Sequence, residues 1–135
     1  MMRTNRSFLL AALILLGAVS CQARGVRFYK AEVVKEYPHD VSSYTQGLFF
    51  HKGKLIETTG QYGESTLREI DIQSGKALRK VDFNKKYFVE GSVVLDGKLF
   101  ILTWTNKVAF VYDPESFSHK ATYSYPRQGW GLTTD

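Results

Sequence analysis

Three times along this chain a chemically capable residue stands directly before a glycine that opens an apolar run: Gln46-Gly47, Glu90-Gly91 and Trp130-Gly131. The glycines are 44 and then 40 positions apart, and about 40 to 45 residues is the length of one four-stranded propeller blade. This period constrains the fold more than any other feature, because a unit of that size cannot bury its apolar face alone and must stack against copies of itself. A chain of 135 residues holds two such units and the start of a third. In a propeller the first strand of each blade lines the central channel, so one repeated slot would aim an amide, a carboxylate and an indole at a common axis.

The finer pattern agrees with the period. Gly47–Phe50 is apolar, His51-Lys52-Gly53-Lys54 reads as a hairpin turn, and Leu55–Thr59 returns as a second strand. Gly91–Leu95, the turn Asp96-Gly97-Lys98 and Leu99–Trp104 repeat that order, with Gly97-Lys98-Leu99 at the same offset of 44 from Gly53-Lys54-Leu55. Third strands are expected at Leu67–Ile72 and Val108–Tyr112, and fourth strands at Ala77–Phe83 and Ser118–Tyr125. Before the first unit, Ala31–Tyr37 alternates like a strand and ends at Pro38, with a loop from His39 to Ser43. Aromatic residues at 14%, eleven glycines and only three prolines suit strands joined by tight turns. The fold class is therefore all-β, a β-propeller of which the chain carries about two blades and the beginning of another.

Arg3 and Arg6 precede an apolar stretch, Phe8–Val19, that is short for a membrane span and suited to the core of a secretory signal. Ala18-Val19-Ser20-Cys21 resembles a bacterial lipobox, with Ala18 where Leu is commoner, and Cys21 as the lipidated residue. Two or more acyl chains there would anchor the protein stably. Gln22 in place of Asp points to outer-membrane sorting in a Gram-negative periplasm. As the only cysteine, Cys21 excludes an intrachain disulfide. The organisation read from these marks is a signal over 1–21, a lead-in strand and loop over 22–43, and a partial propeller domain over 44–135.

The formal charge of +5 includes Arg3 and Arg6; without them 16 basic residues face 13 acidic ones, leaving +3. The basic residues are scattered among acidic ones, so no nucleic-acid partner is expected. His39, His51 and His119 lack paired ligand spacing, and no metal site is expected. Closing a propeller ring takes at least about four blades. On that ground the chain reads as a fragment or truncated product, with little activity alone.

Specific motifs add a resemblance. Tyr44-Thr45-Gln46-Gly47-Leu48, Glu57-Thr58-Thr59-Gly60-Gln61-Tyr62-Gly63-Glu64-Ser65, Tyr87-Phe88-Val89-Glu90-Gly91, Leu102-Thr103-Trp104 and Gly129-Trp130-Gly131-Leu132 are similar to those of the plant and bacterial glutaminyl-peptide cyclotransferases, or glutaminyl cyclases. The likeness runs from about Val33 to the last residue, with its motifs in family order. It implies a five-bladed propeller, export, and conversion of an N-terminal glutamine of peptides or proteins to pyroglutamate with release of ammonia. No cofactor is implied as required, and a structural ion in the channel is left open.

That reaction needs an unprotonated α-amine and a protonated leaving nitrogen, so one carboxylate can act first as base and then as acid, worth about 10² to 10⁴ in rate. Glu90 is the sole carboxylate among the three slots and stands at the family's acidic position. Desolvation by Phe88 and Trp104 would raise its pKa. Gln46 is expected to hydrogen-bond the substrate, while Tyr44, Phe88, Trp104 and Trp130 form an aromatic pocket, Trp130 also offering its indole N–H to the amide oxygen. Further oxyanion donors are implied to come from later blades. Surface ion pairing is expected of Glu57, Glu64, Arg68 and Glu69. A non-catalytic binding lipoprotein or an inactive remnant are the alternatives; a Glu90→Gln exchange would spare binding in the first and abolish cyclisation in the enzyme.

Overall fold

The structure is a computed structural model that describes residues 26–134. The signal segment, the lipobox with Cys21, and Asp135 lie outside the described residues. The chain divides into two units, the second beginning at Lys35. The described part of the first, 26–34, is exposed and carries no helix or strand.

Eight strands make up the second unit: β1 (Thr45–His51), β2 (Lys54–Thr59), β3 (Thr66–Ile70), β4 (Ala77–Asp82), β5 (Val89–Leu95), β6 (Lys98–Thr103), β7 (Val108–Tyr112) and β8 (His119–Ser124). They form two four-stranded antiparallel sheets, ordered β1-β2-β3-β4 and β5-β6-β7-β8. Each sheet is a meander in chain order. Lys52 and Gly53 turn the first hairpin with φ of 47° and 79°, and Asp96 and Gly97 turn the second with 48° and 70°. Positive φ at both central residues is the geometry whose twist matches two paired strands.

The sheets repeat at an offset of 44 through β2 and β6 and of 42 from β3 and β7 onward. The difference arises in one loop: Gly60–Ser65 joins β2 to β3, whereas the shorter Trp104–Lys107 joins β6 to β7. Both loops close in the same way. Thr59 Oγ1 accepts the Thr66 N–H at 3.0 Å, and its counterpart Thr103 Oγ1 accepts the Val108 N–H at 3.0 Å.

One apolar core spans both sheets. Ile56 and Leu67 of the first sheet pack with Val89, Leu99, Ile101 and Phe110 of the second. Phe83, in the link between sheets, lies 5.4 Å from Phe110 and 5.8 Å from Tyr112 between ring centroids. Burying each large aliphatic side chain here contributes about 1.5–3 kcal/mol.

Two expectations are corrected. Neither Ala31–Val34 in the first unit nor Lys35–Tyr37 in the second belongs to a strand. Alternation by itself makes no strand without a neighbouring ladder to take its N–H and C=O groups. The stretch 131–134 is likewise outside any sheet; the residue before it, Trp130, is tied to β5 by the Gly91 N–H donating to its C=O at 2.9 Å.

An ionic clasp also joins the sheets at their turns. Lys52 and Lys54 of the first hairpin lie 3.0 and 3.3 Å from the Glu115 carboxylate, and Arg79 donates to the Glu115 carbonyl. Hydrogen bonds from the two lysines hold the Glu115 carboxyl down at about 2. A depressed carboxylate contributes stability that is present above the ordinary value of 4.5 and lost as pH falls toward about 2. Glu115→Gln is therefore expected to lower the melting temperature slightly at neutral pH, the gap closing on acidification; a gap that widened in acid would contradict the clasp.

Candidate functional site

The repeated slot coincides with a repeated irregularity of the backbone. In β1 the pairing steps from Thr45↔Thr59 to Gly47↔Thr58, leaving Gln46 as an extra residue. In β5 it steps from Val89↔Thr103 to Ser92↔Ile101, so that Glu90 and Gly91 together oppose Leu102. Both are β-bulges, which leave a residue out of the ladder and re-aim its side chain. Periodicity marks the slot, but a bulge is invisible in a hydrophobic pattern.

The glycine after each bulge residue makes room for the next segment of chain. A Cβ on Gly47 would stand 2.6 Å from both Ser92 Oγ and Thr58 Oγ1. On Gly91 it would stand 2.6 Å from the Leu132 nitrogen and 2.7 Å from the Trp130 oxygen. Below Gly47, the buried Thr58 hydroxyl donates to the Glu90 carbonyl at 2.9 Å and lies 3.0 Å from Ser92 Oγ. Thr58 thus reaches from the first sheet to hold the backbone of Glu90. Ser65 acts one residue earlier: its Oγ accepts the Val89 N–H at 3.0 Å and donates to Gln61 C=O at 2.8 Å.

Glu90 itself is 4% exposed, and burial pushes its carboxyl above the ordinary value of 4.5. Among the described residues no hydrogen bond or ion pair reaches its carboxylate, and desolvation is the sole cause of the shift. A buried carboxylate left unpaired is costly to the fold, and one whose pKa is raised by burial is a candidate functional group.

The four aromatic residues expected at the site form one run of ring contacts. Centroids are 6.1 Å apart for Tyr44 and Phe88, 5.6 Å for Phe88 and Trp104, and 5.7 Å for Trp104 and Trp130. The first two pairs meet edge-on, the arrangement that ring quadrupoles favour. Tyr62 extends the run, 5.5 Å from Phe88, with its hydroxyl 2.8 Å from Thr105 Oγ1. Sequence reasoning missed it; its place in the Gly60–Ser65 loop, between two glycines, was the available signal. Gly60 permits the assembly, since a Cβ there would strike the Phe88 ring and stand 3.2 Å from Gln46 Cγ. The two indoles differ. Trp104 donates its Nε1–H to Gln128 Oε1 at 3.2 Å, whereas Trp130 is 57% exposed and its indole N–H meets no acceptor among the described residues.

Of the three slot residues only Gln46 lines the hollow of about 430 Å³ between β1, β5 and the 131–134 stretch. Glu90 is buried beside its bulge, and Trp130 packs against Trp104. The surface role expected of Glu57 is corrected. Instead of lying on the surface this residue is 0% exposed on β2. Glu69 does pair with a neighbour, Arg79, at 2.7 Å. No group of three His, Cys, Asp or Glu able to hold a metal ion occurs among the described residues.

Comparison with known proteins gives a consistent relationship. Residues 7–135 match the model of the glutamine cyclotransferase family. The chain is 39% identical over 113 residues to a glutaminyl-peptide cyclotransferase of Arabidopsis thaliana, covering 81% of this chain and 35% of the relative. Its structure matches the crystal structure of a Myxococcus xanthus glutaminyl cyclase with a TM-score of 0.68 and 32% identity, over 75% of this chain and 42% of the other. The chain therefore spans well under half the length of either relative. The family match over residues 7–135, together with 39% identity over 113 residues to the Arabidopsis protein, places this chain in the glutamine cyclotransferase family.

Proposed function

We propose that this chain supplies the catalytic carboxylate and the aromatic wall of a glutaminyl-peptide cyclotransferase, and that its two sheets are successive blades of a propeller. The buried, unpaired Glu90 carries the functional reading. Glu90 takes a proton from the α-amine of an N-terminal glutamine. The amine nitrogen then bonds to the side-chain amide carbon, and a tetrahedral intermediate forms with negative charge on oxygen. Glu90 returns the proton to the amide nitrogen, the carbon–nitrogen bond breaks, and ammonia leaves with pyroglutamate closed.

Gln46 would hydrogen-bond the substrate, and Phe88 and Trp104 would exclude water from the proton transfer. Trp130, with its indole N–H free of any described acceptor, is the candidate donor to the developing oxyanion. The blade assignment is supported by the repeated approach of a following segment at Gly47 and at Gly91. Further polar groups for the oxyanion would come from segments outside the matched part of the relatives.

The test is ammonia release from a Gln-peptide by the purified chain, and by a chimera in which residues 44–134 replace the matching part of the Myxococcus enzyme. Activity in the chimera with little in the chain alone is expected. A folded chimera that binds but never cyclises would favour a binding module instead.

A further inference from the structure

The two sheets are built on one plan, yet they differ at one corner. In the second sheet that corner is apolar: Val89, Ile101, Phe110 and Phe117 all belong to the buried core. Their positional equivalents in the first sheet are Thr45, Glu57, Arg68 and Gly75, as the pairings Glu57↔Arg68 and Ile101↔Phe110 show. An apolar set at this corner evidently satisfies the fold. A buried acid with a partly buried base in its place costs desolvation that stability alone does not explain.

The polar corner receives the incoming loop. Glu57 Oε1 accepts from Thr45 Oγ1 at 2.6 Å and from His39 Nε2 at 3.0 Å. Glu57 Oε2 has no hydrogen-bond partner among the described residues and lies 4.0 Å from Arg68 Nη1. Arg68 donates to Ser43 Oγ at 2.6 Å and Asp40 Oδ2 at 3.1 Å, and its Nε to Thr66 Oγ1 at 2.7 Å. At Gly75, with φ of +70°, a Cβ would stand 2.5 Å from the Pro38 oxygen, where the second sheet fills the space with Phe117. The segment from Pro38 to Ser43 thus occupies the volume that core side chains take in the other sheet.

Directly after that segment the chain enters the edge of the site. Thr45, held by Glu57, lies between Tyr44 and Gln46. The Tyr44 carbonyl accepts the Gly60 N–H at 2.8 Å, and the Tyr44 ring meets Phe88. We propose that Glu57 is a positioning residue for glutaminyl-peptide recognition: acting through Thr45, with Arg68 and His39 holding the loop, it sets Tyr44 and Gln46 against Phe88. Its bearing on the substrate rests on the function proposed above; its bearing on Tyr44 does not.

The test gives the first sheet the corner of the second, with the triple variant Thr45→Val, Glu57→Ile, Arg68→Phe in the full chain. Thr45→Val alone is the milder variant, removing one hydrogen bond with little change of shape. Melting temperature, exchange of the Gly60 amide, and the nuclear Overhauser contact between the Tyr44 and Phe88 rings are read together. Binding of a glutaminyl tripeptide is followed by quenching of tryptophan fluorescence. The expected result is a melting temperature held or raised, faster Gly60 exchange, a weakened Tyr44–Phe88 contact, and peptide affinity lower by roughly 10- to 100-fold, the scale of a displaced positioning group. Thr45→Val should move the same readouts less.

Unchanged Gly60 exchange and an intact ring contact in both variants would overturn the proposal. If the triple variant does not fold, Thr45→Val decides by the same two readouts. Absence of peptide binding by the parent chain would count against the proposed function alone, with Gly60 exchange and the ring contact still deciding the role of Glu57.

Discussion

Glu90→Gln is expected to abolish most cyclisation of a Gln-peptide by the chimera, a loss of about 10² to 10⁴-fold, while making the protein more heat-stable at neutral pH. Both effects have one cause. Burial raises the Glu90 carboxyl above 4.5, so the folded protein holds that proton to higher pH than the unfolded chain does. As pH rises through the folded value, ionisation costs the folded state stability that the unfolded chain does not lose. Glutamine keeps the shape and removes that cost. The gain in melting temperature should therefore grow as pH rises from the unfolded value through the folded one, level off above it, and vanish below about pH 4, where both states bind the proton. In the unsubstituted chimera the acid limb of kcat/KM should lie above the ordinary carboxylate range, since only the ionised form can take the amine proton. Retained activity, or a variant less stable at pH 8, would remove Glu90 from this role.

Gly91→Ala should produce the largest structural effect of any small substitution at the site. A Cβ there would stand 2.6 Å from the Leu132 nitrogen, 2.7 Å from the Trp130 oxygen and 2.8 Å from Gly131 Cα, all main-chain atoms with no rotamer to move. Either β5 shifts or the following segment leaves. Departure of that segment breaks the Gly91–Trp130 hydrogen bond and separates Trp130 from Trp104. The expected cost is about 1–3 kcal/mol, the range for overpacking a filled space, seen as a lower melting temperature and a red-shifted, more quenchable tryptophan emission. Gly131→Ala is the matched control. Among the described residues nothing stands within 4 Å of its Cβ position, and its effect should stay within about 0.5 kcal/mol. Equal effects from the two would show that the close approach at Gly91 is not what the glycine serves.

Much of the fold could be read directly. The hairpins at Lys52-Gly53 and Asp96-Gly97 carry turn chemistry with a single geometric solution, and all eight strands after Tyr44 lie within two residues of the expected bounds. Ala31–Tyr37 failed for the complementary reason: strand character depends on a neighbour, and no residue of that stretch encodes one. Tyr44, Phe88, Trp104 and Trp130, singled out by their motifs, do come together as one run of ring contacts. Tyr62 was missed because its loop offers no period, and Glu57 because a glutamate on an alternating strand ordinarily faces water. Its burial depends on His39 and Arg68, 18 positions before it and 11 after.

The sequence by itself determined the repeat, the strand order and the identity of the slot residues, since these rest on local turn chemistry and on spacing along the chain. Tertiary structure alone decided which way each slot residue faces. The bulges at Gln46 and Glu90–Gly91, the Thr58 bond beneath Gly47 and the polar corner around Glu57 all arise where one segment crosses another. Such crossings depend on distances between residues far apart in the chain, and one missing Cβ or one buried carboxylate sets them.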